Sequence, residues 1–314
     1  MKKRLLGSSK IEVSEIAFGG VEIGLPYGVN KRVMEEAEAI TLLRTALDMG
    51  LNFFDTARLY GNSEERIGKA FKGIREKAVI STKCAHLQDA AGQVLKGKAL
   101  TNFVEDSIAK SFQALQTDFV DVFMVHWASS EILKNAEIAE VFRSLKKRGL
   151  ARTVGVSTYG LEDTSLALES GNWDVVQLSF NLMDQSCIEL FPVAKQKGIG
   201  LMVRSVLMRG ILTDGQFNYV AELQCIKKHK EKYKSLLSAD IVTISDLAIK
   251  FALSFEDISS VLIGIDKTEF LTNAVSVANG CYLPPSSLRQ AKQMAYPDPE
   301  FLNMAVWDRK GWLK

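Results

Sequence analysis

Apolar and polar positions follow two different rhythms along this chain. Brief runs that are apolar at consecutive positions alternate with longer stretches in which apolar residues recur every three or four positions. The runs are IAFGG at 16–20, NFFDTA near 54, AVISTKC near 81, VDVFMVHW near 123, TVGVST near 155, VVQLSFN near 178, IGLMVRSV near 202 and SSVLIGI near 262. Between them, Ile40, Leu43 and Leu47, then Val104, Ile108, Phe112 and Leu115, then Ile138, Phe142 and Leu145 keep the 3.6-residue period of amphipathic helices. Several of these helical stretches stop at a glycine (Gly50, Gly149, Gly198) where a left-handed cap is wanted, and each glycine leads into the next run. Strands apolar on both faces are what a parallel sheet covered by helices requires. Eight such units in about 250 residues predict a (β/α)8 TIM barrel, with an open doubly wound sheet as the alternative.

Residues 3–16 carry two short apolar-bearing arms around a turn at Gly7–Lys10, which predicts an N-terminal β-hairpin covering one end of the core. Two stretches depart from the alternation. Residues 207–241 contain no strand-like run and predict a long loop with some helix. From about Pro284 the chain predicts a C-terminal helix followed by an irregular tail bearing Tyr296, Phe301, Trp307 and Trp312, aromatics expected to anchor the tail or, less simply, to shape a pocket. No low-complexity linker divides the chain, so residues 1–314 are expected to form one domain.

Composition narrows the function. With 314 residues, 47% hydrophobic and 24% charged, the sequence is that of an ordinary globular protein. The 39 basic and 37 acidic residues leave a formal charge of +2, and no basic block interleaved with aromatics asks for nucleic acid. No apolar run approaches the roughly 18 residues of a membrane span, and the start lacks a signal-like apolar stretch, so a cytoplasmic location is expected. Cys84, Cys187, Cys225 and Cys281 lie 103, 38 and 56 positions apart, without a CxxC pair. They read as reduced, mostly packed thiols. His86, His126 and His229 are equally scattered, and no metal site is expected.

In a parallel barrel every strand opens its carboxyl end on the same face. That face would gather Asp55 and Tyr60 from DTARLYG, Lys83 from STK, His126 from VHW, Ser157 and Thr158 from VST, and Gln177 and Asn181 from the sixth run. Singly, each has a plainer reading: Asp55 as a helix cap, Lys83 as a strand-flanking lysine, His126 as a core histidine. Together they make an acid–base relay. A free phenol titrates near 10. A buried ammonium beside it favours the phenolate, and an aspartate beside the lysine keeps that lysine charged against desolvation. Tyr60 so tuned exchanges a proton with a carbonyl or alcohol oxygen, with His126 as an orienting hydrogen-bond donor. No side chain supplies hydride, so a reduced cofactor must.

DTARLYG, STKC, VHW, VGVST and VVQLSFN, in this order and spacing, resemble the successive motifs of the aldo-keto reductase superfamily. The resemblance spans nearly the whole chain and implies a barrel, monomeric or weakly self-associating, that binds NAD(P)H across its carboxyl-end face without a Rossmann fold. It implies that Tyr60 is the acid–base, Lys83 and Asp55 its tuning pair and His126 the orienting donor. It implies further that Ser157 and Gln177 hold the nicotinamide carboxamide, and that Ser205, Leu207 and Gly210 line a pyrophosphate loop. Gly264 corresponds to the adenosine-phosphate glycine.

Three positions depart from the family pattern. Thr158 stands where asparagine is usual and offers at most a hydroxyl. Arg204 takes the place of the side chain that packs on the nicotinamide. Asp266 stands where NADPH-binding members commonly have arginine, with Lys267 next to it. Both NADP(H) and NAD(H) are therefore expected to be used. The substrate is expected to be an aldehyde, a ketone or a sugar-derived carbonyl, in a pocket built by Trp127, the 85–100 loop, the loop after the seventh strand and the tail. Two other readings stay open: a non-catalytic NADP(H)-binding regulatory subunit on the same fold, and a Schiff-base lyase or isomerase using Lys83.

Overall fold

A computed structural model describes residues 1–27 and 32–313. The eight apolar runs form the strands of a closed, all-parallel barrel: β3 (Ile16–Gly19), β4 (Phe53–Asp55), β5 (Val79–Lys83), β6 (Val120–Val125), β7 (Ala151–Ser157), β8 (Val175–Ser179), β9 (Gly200–Arg204) and β10 (Ser260–Gly264). Sequence neighbours pair all the way round, and β10 closes the ring between β3, at Val261↔Ile16, and β9, at Ser260↔Met202. The open doubly wound sheet is thereby excluded.

Adjacent apolar residues on a strand enter two separate cores, because side chains alternate across the sheet. Phe53, Val122, Met124, Met202 and Leu262 fill the inside of the barrel, whereas Phe54, Phe123, Val125, Val203 and Ile263 face the helices. This division is the reason the strands read as continuous hydrophobic runs. Preceding the barrel, β1 (Lys3–Leu5) and β2 (Glu12–Ser14) form the antiparallel hairpin. Its Leu6, Ile11 and Val13 join the inner core and plug the amino-terminal end of the barrel. The turn fits only as glycine at position 7. Its φ is +57°, and an added Cβ would stand 2.4 Å from the Gly198 carbonyl oxygen.

The helices end as their sequence predicts. Gly50, Gly149 and Gly198 have φ of +94°, +77° and +68°. In each case the glycine N–H and the one after it bond back to carbonyls in the last helical turn, for example Gly149 to Lys146 and Leu150 to Leu145, both at 3.0 Å. The stretch 207–241 holds short helical turns and one helix, Gln224–Lys232, but no named strand among the described residues.

The tail is more regular than expected. After helix Pro285–Gln293, residues Met304–Arg309 form a further short helix, because the Asn303 side chain caps the N–H groups of Ala305 and Val306. Trp307 on it is wholly buried, donates Nε1–H to the Phe301 carbonyl and packs on the Phe301 ring, which also meets Tyr296 and Trp312. These aromatics anchor the tail, and of that segment only Met304 reaches the large cavity described below. All four cysteines are free. Cys84 and Cys187 are buried, but Cys225 and Cys281 lie exposed on the loop-rich periphery, so only half of the thiols are packed. Among the described residues, no helix is long and apolar enough to cross a membrane, and no cluster of three or more His, Cys, Asp or Glu side chains is placed to hold a metal ion.

Candidate active site

The carboxyl ends of β3 to β10 surround a cavity of about 1170 Å³. That exceeds the ~300–1,000 Å³ of a drug-sized ligand site. Asp55 is the last residue of β4 and Lys83 the last of β5, and parallel pairing sets the two strands side by side in register, with Asp55 opposite Ser81. The Lys83 ammonium donates to Asp55 Oδ2 at 2.6 Å and to the Thr56 carbonyl at 3.0 Å. Asp55 Oδ1 accepts from Ser81 Oγ and from Gln177 Nε2, both at 3.0 Å. With both oxygens supplied with donors and one facing a cation, the buried carboxylate is well compensated. Lys83 itself is wholly buried and does not reach the cavity wall.

Tyr60 sits on the loop leaving β4, and two glycines hold that loop. A Cβ on Gly24 would lie 1.9 Å from the Tyr60 carbonyl oxygen, and one on Gly61 would lie 2.3 Å from the Gly24 carbonyl oxygen. The loops after β3 and β4 therefore touch backbone to backbone. Gly24→Ala is expected to displace Tyr60 and lower turnover at least ~10-fold while the protein stays folded, since neither Gly24 nor Tyr60 belongs to either core. Steady-state rates beside a thermal melt check this; unchanged turnover would show that the loop tolerates the shift.

The Lys83 Nζ lies 5.1 Å from the Tyr60 ring centroid, and the His126 ring meets the Tyr60 ring edge-on at 5.4 Å and 81°. The expectation that Lys83 draws Tyr60 toward phenolate is not met. Burial first, then the Asp55 charge, hold the phenol well above its ordinary range, with Arg204 opposing. Lys83 is engaged by Asp55 at contact distance, so its field at Tyr60 is largely cancelled, and Tyr60 is a neutral, proton-carrying phenol. Lys83 is itself pulled below the usual lysine range by burial, against the pull of Asp55. His126 is driven down to about 2 by burial, with the Lys83, His86 and Arg204 charges adding to it. Its imidazole is neutral, with one N–H to donate, and its buried Nδ1 has no partner among the described residues.

Round the cavity from this group, Ser157 ends β7 and lines the wall, as does Gln177, whose amide nitrogen is committed to Asp55 and whose carbonyl oxygen is left to accept. Thr158 is a correction. Its hydroxyl lies 2.9 Å from Thr164 Oγ1 on the following helix, it is fully buried, and it is not part of the cavity wall. Its carbonyl instead accepts from Arg204 Nη2 at 2.9 Å. Arg204 lines the cavity with its guanidinium already laid on Tyr159, 4.2 Å from the ring centroid, and with its Nε buried and unpartnered.

Ser205, Leu207 and Gly210 follow on the loop after β9. That loop has left-handed backbone at Ser205, Met208 and Arg209 (φ +62°, +46° and +53°), a strained path for non-glycine residues of the kind that clusters at ligand sites. Asn181 supports it by donating to the Ser205 carbonyl at 3.2 Å. Gly264, Asp266 and Lys267 complete the wall after β10, and the Lys267 ammonium lies 5.5 Å from the Phe270 ring centroid.

Among the wall residues that escaped the sequence reading are Glu22, Tyr27, Tyr159 and Arg209. Tyr159 directly follows the VST motif, and Glu22 closely follows the paired glycines that end the barrel's first strand; each could have been found by reading one or two positions beyond the motif. Tyr27 and Arg209 find each other only through folding, the guanidinium lying 4.5 Å from the ring centroid. The exposed His86 packs edge-on against His126 and Trp127, at 5.6 and 6.1 Å, but neither His86 nor Trp127, expected to help build the pocket, lines the cavity.

A parallel barrel thus gathers at one mouth a neutral tyrosine, a buried lysine–aspartate pair and a neutral histidine, a set of side chains able to hold and pass a proton. The model of the aldo/keto reductase family matches residues 15–295, and the chain belongs to that family. It is 31% identical over 250 residues to the aldo-keto reductase YhdN of Bacillus subtilis (strain 168), covering 76% of this chain and 74% of that protein. It is 28% identical over 307 residues to the NADH-specific methylglyoxal reductase of Escherichia coli (strain K12), covering 89% of this chain and 94% of that one. Among solved structures, the holo form of aldo-keto reductase AKR11C1 from Bacillus halodurans shares the fold, with a TM-score of 0.79 and 24% identity over 94% of this chain and 96% of that one. The chain is thus a nicotinamide-dependent oxidoreductase acting on carbonyl or CH–OH groups.

Proposed function

We propose that this protein reduces small aldehydes or ketones, sugar-derived carbonyls included, with Tyr60 as the proton donor and with both NADH and NADPH as hydride sources. The observation that carries the reading is the group at the cavity floor, in which the neutral Tyr60 stands beside the neutral His126 and the Lys83–Asp55 pair bonded at 2.6 Å.

The wall fits a dinucleotide. The Gln177 carbonyl oxygen and the Ser157 hydroxyl suit a carboxamide, and the kinked loop at Ser205, Leu207 and Gly210 offers backbone N–H groups in the manner of anion-binding turns. The bound nicotinamide supplies the hydride. Tyr60 gives its phenolic proton to the carbonyl oxygen as negative charge grows there. His126, neutral, donates an N–H to the same oxygen and orients it. Lys83, held charged by Asp55, stabilises the Tyr60 phenolate left after the proton has gone. Its field matters at that moment more than in the resting state, where the phenol is neutral. The fixed dipoles and charges are in place beforehand, so little reorganisation opposes the transfer.

The use of NADH beside NADPH rests on Asp266. A carboxylate ~4 Å from a 2′-phosphate costs up to ~4 kcal/mol at an effective dielectric near 20 and ~1 kcal/mol at a wet surface. A carboxylate also accepts from ribose hydroxyls, as in dinucleotide folds that select NAD. Asp266→Arg is expected to shift the kcat/KM ratio toward NADPH at least ~10-fold. A wild type that strongly prefers NADPH, with no shift in the variant, would show that this side chain does not meet the cofactor.

The proposed activity is tested by following the oxidation of NADH and NADPH with methylglyoxal, aldoses, ketoses and simple ketones. Rapid oxidation with at least one carbonyl supports the reading, whereas cofactor binding without turnover on any would favour the regulatory-subunit alternative.

A further inference from the structure

Glu22 stands in the loop leaving β3, on the wall that also carries Ser205, Leu207, Gly210 and Gly264. Its Oε2 is buried with no hydrogen-bond partner among the described residues. Its Oε1 occupies the space that Gly264 leaves by having no side chain: a Cβ built there would be 2.1 Å from that oxygen. A glycine in such a wall ordinarily admits a phosphate; here a carboxyl fills the recess.

The charges around it do not neutralise it. Among the described residues of its own loop the phenol of Tyr27 faces it, and from the loop after β10 comes a second acid, Asp266, with Lys267 drawn over Phe270. From the loop after β9 comes Arg209, whose guanidinium is shared between the Tyr27 ring and Asp308 of the tail helix at 3.4 Å. Burial, then Asp266, raise the Glu22 carboxyl to about 7, against its own backbone N–H and Arg209.

We propose that Glu22 is a cofactor-binding residue of this chain: its negative charge opposes the phosphates of a dinucleotide entering beside Gly264, so that the cofactor binds to the protonated carboxyl and binding takes up a proton there. The carboxylate accepts one proton from solvent, and the resulting O–H donates to an oxygen of the ligand where the carboxylate had only lone pairs to present. The inference rests on the cavity being a dinucleotide site. It adds that occupancy is linked to pH at one named side chain.

The sign is fixed. A group that titrates near 7 when the site is empty is mostly protonated at pH 6 and mostly ionised at pH 8. Affinity for NADH should therefore fall about tenfold over that interval, with close to one proton taken up per ligand at the upper pH.

Calorimetric titration of the full-length protein with NADH and with ADP-ribose, at both pH values and in two buffers of different ionisation enthalpy, reads both quantities without turnover. ADP-ribose carries the diphosphate without the nicotinamide. The expected result is the same pH dependence for both ligands in the wild type and its loss in Glu22→Gln, which keeps the shape, removes the charge and binds several-fold tighter than wild type at pH 8. A wild-type affinity that is flat with pH overturns the inference even if the variant fails to fold. So does a Glu22→Gln protein that keeps the pH dependence or binds more weakly at pH 8. Failure of both ligands to bind at either pH overturns the dinucleotide reading itself, and the role of Glu22 with it.

Discussion

Tyr60→Phe is expected to lower turnover at least ~10²-fold, the usual scale for a positioned acid, while the affinity for reduced cofactor and the melting temperature stay close to those of the wild type. The phenyl ring keeps the edge contact with His126 at 5.4 Å and the packing over Lys83, so the geometry of the site survives and only the proton is removed. The pH profile is part of the same result. Tyr60 is held above its ordinary range and His126 is depressed to about 2, so neither changes protonation between pH 6 and 9. With cofactor saturating, kcat should be flat across that interval, and any fall with pH should appear in kcat/KM for the cofactor. Near-normal turnover of the variant would remove Tyr60 from the chemistry, and a sigmoidal kcat centred near neutrality would contradict the protonation states assigned to it and to His126.

Lys83→Met should combine the second largest loss of activity with a loss of stability. Breaking a buried ion pair by removing one partner typically costs ~3–5 kcal/mol, because the other charge is left behind in a dry place. Asp55 keeps its donors Ser81 and Gln177, so the lower part of that range applies. Denaturant titration reads that cost. Turnover should fall about as far as in Tyr60→Phe, and the double variant should be little worse than either single one, since Lys83 acts through the Tyr60 phenolate. Multiplying losses would instead mean that the two side chains contribute separately, as they would if Lys83 were the Schiff-base nucleophile of a lyase.

Much of the fold was legible because a (β/α)8 barrel writes its architecture into local pattern. Phe53 and Phe54 enter different cores, so both must be apolar, and Gly50, Gly149 and Gly198 end helices through backbone geometry that few other residues accept. The side chains grouped at the mouth were legible for a related reason: Asp55, Lys83, Ser157 and Arg204 are each the last residue of a strand, and Gln177 lies on one, so strand register decides where they go. Side chains on loops were harder to place. The packing of Gly24 against Tyr60, the pairing of Arg209 with Tyr27 and the insertion of Glu22 against Gly264 each join segments distant in sequence, and no local periodicity marks them. Thr158 was misplaced because the strand has ended by that point, and the Thr164 hydroxyl of the next helix, rather than the cavity, takes its side chain. The protonation of Tyr60 was misjudged because proximity to a lysine was weighed without the aspartate that already holds it.

The central claim is that this barrel moves hydride from a reduced nicotinamide to a carbonyl carbon while Tyr60 protonates the oxygen. Its most direct test is label transfer. NADH carrying deuterium at one face of the nicotinamide C4 is incubated with enzyme and the carbonyl that it turns over fastest, and the product alcohol is analysed by mass spectrometry and NMR. Deuterium on the carbinol carbon from one labelled face only, with the yield at fixed time falling at least ~10²-fold in Tyr60→Phe, is the predicted result. Product without label, or label delivered equally well by the Tyr60→Phe protein, would contradict it.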